Sequence, residues 1–494
     1  TVTLTLTANT GTGNIVLQTA TLAGPATPFL PFSDDFNDGN YNGWTVVNES
    51  VNLGSWSAVS NELRQLNMVE DASARIGTYQ LGSYVYLNGG SALTDYRFAV
   101  STNHLGANGV LAEDVGVMFR YQNANNYYRL SLNSRHGYSR LEKRVGGNFS
   151  TLAVNSRGYK SAVNQSIVIE TRGTSLLVWI NSDPVFAVTD TSLTSGTIAL
   201  YAKHQTRFDN VSITDPSTTP AIVLSSPLAY ATRNGNSLAT TAIATNVPSG
   251  GSVQFLLDGA NSVIDSTAPY STTYSGVAPG NHTVEARLRN SSSTVVATDT
   301  NTVVGVTGDE IVAVGDSITN GIGDFYATDN ISTLERFIGF QGPQTTMIDS
   351  LDATRGFTPT IVFNEGMGGD DAYDAAFSRI DSIKERYPGM DRVIVGLGTN
   401  DAFTPIPSGL GCSGAACNNT YKSYMQTLVD KIRWSNYPTN TVPSNIEVRV
   451  ASTPPVWIGA DPWNYSANVL IREYNQVVTS ELTGVTAGAN LYAY

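Results

Sequence analysis

Ile311-Val312-Ala313-Val314-Gly315-Asp316-Ser317-Ile318-Thr319-Asn320-Gly321-Ile322-Gly323 runs from an unbroken apolar stretch into a polar, glycine-rich turn. An apolar run of this kind reads as a buried strand, and it delivers Ser317 onto a tight turn at the sheet's carboxyl edge. The residues that follow keep the same grammar. Residues 360–364, 392–397 and 446–452 read as strands, and residues 491–494 start a further one. Residues 372–386, 420–433 and 468–482 read as helices. The first carries Tyr373, Phe377, Ile380 and Ile383 on one face and stops at Pro388-Gly389; the second aligns Tyr424, Leu428 and Ile432; Gly484 closes the third. Such alternation predicts a parallel sheet wrapped by helices, a three-layer, flavodoxin-like α/β domain over residues 308–494, with chemistry at the carboxyl ends of its strands.

Upstream the pattern is all β. Residues 1–31 hold a period-two hairpin (Val2, Leu4 and Leu6, then Gly11-Thr12-Gly13, then Ile15 and Leu17) and a proline-rich linker. A hairpin of this size does not fold alone. It ends a preceding domain or exchanges a strand with another chain, so self-association through residues 1–22 is an expectation. Residues 32–215 read as many short strands broken by Gly, Asn and Ser clusters, the pattern of a two-sheet, jelly-roll sandwich. Pro216-Ser217-Thr218-Thr219-Pro220 opens a second β unit, residues 216–307.

Composition narrows the function. The net charge is -13 without a run of Lys or Arg, which argues against nucleic acid and anionic membranes as partners. No stretch reaches 18 consecutive apolar residues, so no membrane-spanning helix is expected. Charged residues make up only 14%, a level that suits β-rich extracellular or cell-surface proteins. Cys412 and Cys417, five apart among small residues, read as a short disulfide loop or as two free thiols. The chain begins without Met inside a strand-like pattern, and reads as processed or as a piece of something longer.

Three strand ends carry the chemistry: Gly315-Asp316-Ser317, Asn364-Glu365-Gly366-Met367-Gly368-Gly369-Asp370, and Gly396-Leu397-Gly398-Thr399-Asn400-Asp401. A serine esterase needs a nucleophile, donors aimed at a developing oxyanion, and a base. Glycines at strand ends let backbone N–H groups approach a substrate oxygen closely, and an asparagine amide adds a side-chain donor. These residues resemble the sequence blocks of the SGNH (GDSL-type) hydrolases, with Ile318 where the name-giving pattern has Leu. The resemblance implies a carboxylic ester hydrolase (3.1.1-like) with Ser317 as nucleophile. The backbone N–H groups of Ser317 and Gly369, with the Asn400 amide, would form the oxyanion hole, and no cofactor would be required. Asp316, Asp401 and Glu365 read as turn, cap and structural residues.

The family's fourth block, an Asp-x-x-His that supplies the base, is not in this sequence. The four histidines are His104, His136, His204 and His282. The expectation is a chain cut before that block, and therefore nearly inactive as it stands, with the residual ~10³–10⁴-fold acceleration of oxyanion hole and binding.

The β units carry softer signals. Phe32-Ser33-Asp34-Asp35-Phe36-Asn37-Asp38-Gly39 and Arg207-Phe208-Asp209-Asn210-Val211 resemble the ends of laminin-G/concanavalin-like jelly rolls, whose first and last strands lie side by side. Asp35 and Asp209 would then meet, as Ca²⁺ ligands or as plain surface turns. Tyr121, Tyr127, Tyr128, Tyr138 and Trp179 read as a sugar-stacking platform or as core. Ser252–Gly259, Ala268-Pro269-Tyr270 and Pro279-Gly280-Asn281-His282-Thr283-Val284 resemble bacterial immunoglobulin-like repeats, which serve as spacers; His282 there reads as structural. Two functions follow. One is a secreted esterase acting on acyl (acetyl) esters of a polysaccharide or cell-surface glycan. The alternative is a cell-surface, filament-forming or adhesive protein whose hydrolase-like domain is inactive.

Overall fold

The computed structural model describes residues 2–9, 14–22, 29–69, 75–76, 79–104, 114–133, 138–155, 164–229, 231, 236–278, 282–303, 309–320, 360–456 and 463–488. Period-two alternation puts one face of each strand inward, and two antiparallel sheets bury those faces against each other. One sheet runs in the order Asp183–Thr189, Ser175–Ile180, Gln165–Arg172, Tyr96–His104, Thr206–Thr214, Glu62–Gln65, Trp56–Val59. The other runs Asn148–Asn155, Tyr138–Val145, Asn126–Asn133, Val115–Asn123, Thr197–Ala202, Ser83–Leu87, Trp44–Asn48. Phe98, Val117, Leu130, Ile169, Val178 and Leu200 fill the space between them. Phe32–Asp34 pairs with Thr206–Thr214, so the terminal strands of this sandwich adjoin.

The outer face of the second sheet is polar yet buried. Arg129 Nε and Arg140 Nε both donate to Glu142, the latter at 2.6 Å. Arg129 also donates to the Gln80 carbonyl at 2.9 Å and lies 4.3 Å from the centre of the Tyr201 ring. Tyr138 and Asn133 donate to Asp114 at 2.9 and 2.8 Å. All four charged side chains are fully buried.

The next unit packs the sheet Ala221–Ser226, Ser237–Thr245, Tyr270–Ser275 against the sheet Asn261–Asp265, Ser252–Leu257, His282–Arg289, Val295–Val303. His282 ties its turns together. Its Nδ1 lies 2.8 Å from Asp258 Oδ2 and its Nε2 2.7 Å from the Ala278 carbonyl. With an acceptor at each ring nitrogen the charged imidazolium is favoured. Burial opposes it, but the Asp258 and Ala278 hydrogen bonds raise the pKa overall.

In the last unit every neighbouring strand pair is parallel, in the order Thr360–Gly366, Asp309–Gly315, Arg392–Gly396, Glu447–Val450, Thr486–Ala487. By chain order this is 2-1-3-4-5, the doubly wound arrangement whose switch point lies between the first and third strands. Tyr421–Arg433 begins with a reciprocal cap between Thr420 and Ser423, and Trp463–Ser480 forms the last helix. The fifth strand is Thr486–Ala487, and the strand expected over 491–494 lies outside the described residues. Among the described residues no helix is long and apolar enough to cross a membrane.

The helix expected over 372–386 differs from its simple reading. It is α-helical over Ala372–Asp374, π-helical over Ala375–Arg379 and α-helical again over Ile380–Arg386. The wider turn advances the helix by about one residue, or about 100°. Tyr373 and Phe377 therefore do not share the face of Ile380 and Ile383. The sheet side is lined by Ala372, Ala375, Ala376, Ile380 and Ile383, while Tyr373 is 38% exposed and packs on Phe377 and Tyr424.

Glu142 neutralises two buried arginines, so Glu142→Gln should destabilise the sandwich by ~3–5 kcal/mol. Urea unfolding followed by tryptophan fluorescence measures it; a loss under ~1 kcal/mol would show that the arginines do not depend on this carboxylate.

Candidate active site

The first strand stops where Gly315 must pass between neighbours. A Cβ there would stand 1.9 Å from Thr319 Oγ1 and 2.5 Å from the Gly396 carbonyl, so no side chain fits. Ser317 then opens the one-turn helix Ser317–Asn320 and is half-buried. Asp316 Oδ1 accepts the Ile318 N–H at 2.9 Å, which fixes the turn that presents Ser317.

The second strand's turn fastens to the first. Met367 N–H donates to the Gly315 carbonyl at 2.8 Å, and Asn364 Oδ1 accepts the Gly366 N–H at 2.9 Å. Asp370 N–H returns to the Met367 carbonyl at 3.2 Å. Gly369 sits between them at φ +88°, where a side chain is strained although its Cβ would meet nothing within 4 Å. The third strand's end, the short helix Thr399–Phe403, sends the Asn400 amide to the Asp370 carbonyl at 2.8 Å. That bond engages one amide hydrogen and sets the plane of the group, leaving the direction of the second fixed. Ser317, Gly369 and Asn400 thus come from three strand ends linked at the switch point.

Acidic side chains crowd behind these turns. Asp401 is fully buried and accepts the Ala372 N–H on both oxygens, at 3.1 and 3.2 Å, at the start of the earlier helix whose N-cap is Asp371. Burial, followed by the charges of Asp371 and Asp316, pushes its pKa up to about 8. Burial, with a smaller push from Asp370, raises Asp316 as well. A neutral Asp401 removes one negative charge from behind a site where an oxyanion would form.

Glu365 and Asp370 are held by Arg379, Arg386 and Tyr387. Sequence reasoning passed over Arg379, because an arginine on a helix ordinarily reads as a solvated charge and nothing local marks the π-turn that carries it inward. Cys412 and Cys417 are joined by a disulfide with Cα atoms 5.3 Å apart. Asp35 follows the strand Phe32–Asp34 and Asp209 lies in its pairing strand, Thr206–Thr214: burial raises the Asp209 carboxyl, with the charges of Glu62 and Asp35 adding to it. Asp35 accepts from Asn37 and Asp209 from Asn210, each within its own turn. Among the described residues no three of His, Cys, Asp and Glu gather as metal ligands. A Ca²⁺ at this pair would have to draw its remaining ligands from carbonyls and water. The five aromatics do not form one platform. Tyr128 lies in the core, Tyr121, Tyr127 and Tyr138 share the outer face of the second sheet, and Trp179 lies on the other sheet beneath Arg97.

Asp401 gives a signed pH prediction. Its folded pKa lies above its unfolded value, so Asp401's own contribution to stability is fully present below about pH 4 and is lost towards pH 8, by about 1.4 kcal/mol per pH unit for one proton. Asp401→Asn keeps the neutral shape and should flatten that fall in chemical denaturation run at pH 5 and pH 8. An unchanged slope would mean that Asp401 is ionised in the fold.

Residues 311–487 match the family model described as GDSL-like Lipase/Acylhydrolase, and residues 31–214 match that of the 3-keto-alpha-glucoside-1,2-lyase-like domain. A search of the curated proteins found no match. Among solved structures, the chain is similar to the carbohydrate binding module CBM66 from Bacillus subtilis at 18% identity, covering 35% of this chain and 96% of that one, TM-score 0.29. It is similar to the fibronectin(III)-like modules of Clostridium thermocellum CbhA at 20% identity, covering 17% and 94%, TM-score 0.16. It is also similar to xylan beta-1,4-xylosidase from Bacillus halodurans at 13% identity, covering 40% and 42%, TM-score 0.30. Residues 311–487 thus form a GDSL-like lipase/acylhydrolase domain by its family match, preceded by a two-sheet β sandwich whose match, residues 31–214, is to the 3-keto-alpha-glucoside-1,2-lyase-like domain.

Proposed function

We propose that the protein is a secreted serine esterase that removes acyl groups, acetyl foremost, from a polysaccharide. The observation that supports the reading is the hydrogen bonding of strand ends at the switch point of a 2-1-3-4-5 sheet, Met367 N–H to the Gly315 carbonyl two residues before Ser317 and the Asn400 amide to the Asp370 carbonyl beside Gly369. Ser317 Oγ attacks the ester carbonyl while its proton passes to a base. The tetrahedral oxyanion takes hydrogen bonds from the Ser317 and Gly369 N–H groups and the Asn400 amide. The leaving alcohol departs with the proton, and water cleaves the acyl-enzyme by the same steps. Residues 308–494 contain no histidine, so the base is the role assigned to an Asp-x-x-His block.

The glycan half of the reading rests on the sandwich. Residues 31–214 match the model of the 3-keto-alpha-glucoside-1,2-lyase-like domain, a description that names a sugar substrate. The outer face of the second sheet, with Tyr127, Tyr201, Arg129 and Arg140 fully buried, is part of the sandwich's own packing and offers no surface for that glycan.

The test measures p-nitrophenyl acetate and acetylated xylan hydrolysis for residues 1–494 and for a form with an Asp-x-x-His block appended, each with and without Ser317→Ala. The appended form should exceed its Ser317→Ala variant by about 10⁴-fold or more, and residues 1–494 should keep only residual activity. Equal rates with and without Ser317 in the appended form would sink the esterase reading.

One observation favours the adhesive, self-associating alternative: among the described residues Val2–Asn9 and Asn14–Leu22 pair only with each other. Deleting residues 1–22 should then lower the sedimentation coefficient. No change would leave this alternative without support.

A further inference from the structure

Resting on the esterase reading, we infer that Arg379 is a positioning residue: its guanidinium sets the oxyanion turn and, through Asp370, the amide of Asn400. The inference starts from the helix. A π-turn within an α-helix is uncommon and is kept where a side chain must be re-aimed. Here it spans Ala375–Arg379, and the residue at its end is an arginine whose side chain is 1% exposed.

That guanidinium reaches both walls of the site. Nη1 donates to Asp370 Oδ2 at 2.7 Å and lies 3.5 Å from the Gly315 carbonyl, two residues before Ser317. Nη2 donates to the Glu365 carbonyl and to Glu365 Oε2, the latter at 3.2 Å. One planar fork therefore bonds the end of the second strand and the turn that follows it, with its tip against the end of the first. Lysine could place a charge there but not the fork.

Asp370 makes this more than packing. Its side chain is held by Arg379 while its backbone carbonyl accepts the Asn400 amide at 2.8 Å. Gly369, the other oxyanion donor, is its immediate neighbour. Both donors outside Ser317 are thus referred to one residue, and Arg379 fixes that residue from behind. The remaining Glu365 oxygen accepts from Arg386 at 2.6 Å and Tyr387 at 2.9 Å, which holds Glu365 where Arg379 meets it.

Hydrogen exchange of the 494-residue chain, read by peptide mass spectrometry, tests the placement whether or not the chain hydrolyses esters. In Arg379→Lys the amides of residues 366–371 should exchange at least about tenfold faster, with residues 311–314 and 393–395 still protected. Arg379→Met should do the same to a greater degree. If it fails to fold because the Asp370 charge has lost the Arg379 guanidinium, the double variant R379M/D370N removes that charge and should fold with an unprotected turn. Unchanged exchange over 366–371, or acceleration spread equally over the sheet, would overturn the inference. In the form with an Asp-x-x-His block, Arg379→Lys should lower kcat about tenfold to a hundredfold and leave KM within about twofold, as expected when an oxyanion donor is misplaced. Ester hydrolysis that ignores Ser317 would fault the esterase reading alone, because the exchange result stands apart from it.

Discussion

A buried parallel strand ends with backbone groups that still need partners, and at its carboxyl edge neither water nor a hairpin partner is at hand. In this protein three such ends satisfy one another. The Gly315 carbonyl takes Met367, the Asp370 carbonyl takes Asn400, and Asp316 N–H reaches the Gly396 carbonyl at 3.4 Å. The site is what this mutual closure leaves at the surface. Gly315 has no room for a side chain because the closure is tight, and Gly369 needs a positive φ because the turn must come back on itself. The placement of Ser317, Gly369 and Asn400 follows from hydrogen-bond satisfaction that the sheet requires in any case.

The parts legible in the sequence are those decided locally. The apolar run 311–314, the glycines at three strand ends and the alternation of strand with helix are readable because each depends on residues close in the chain. The strand pairing Phe32–Asp34 with Thr206–Thr214 came from resemblance, since no local property links positions so far apart. What stayed hidden is long-range. Whether Tyr127 or Tyr128 faces the core depends on register, and one residue of shift exchanges them. The π-turn that rotates Tyr373 and Phe377 away from Ile380 ends on Arg379, whose partners Gly315 and Glu365 lie in strands earlier in the chain. Cys412 and Cys417 left disulfide and thiols open because spacing allows both.

Buried charge recurs in the two larger units. In the sandwich, Arg129 and Arg140 share Glu142; in the hydrolase domain, Arg379 and Arg386 share Glu365, with Asp370 on the far side of Arg379. Such networks add little net stability relative to an apolar core, because desolvation offsets attraction. Their effect is to penalise every arrangement that leaves a member unpaired. A wrong register in the second sheet separates Arg129 from Glu142, and a displaced oxyanion turn strands Asp370 beside an empty guanidinium.

The two networks approach each other at the helix Ile380–Arg386. Arg386 faces Glu365, while the preceding residue, Glu385, is directed to the sandwich. Burial raises the Glu385 carboxyl, and the charge of Arg140 with a hydrogen bond from Thr151 opposes that rise. Consecutive helix residues point about 100° apart, so one turn serves both sides: its inner Arg386 holds Glu365 and its outer carboxylate meets the polar face of the sandwich. Arg140 is buried in the sandwich and Arg386 in the last unit, so Glu385 and Arg386, adjacent in sequence, carry the two networks on one turn of helix.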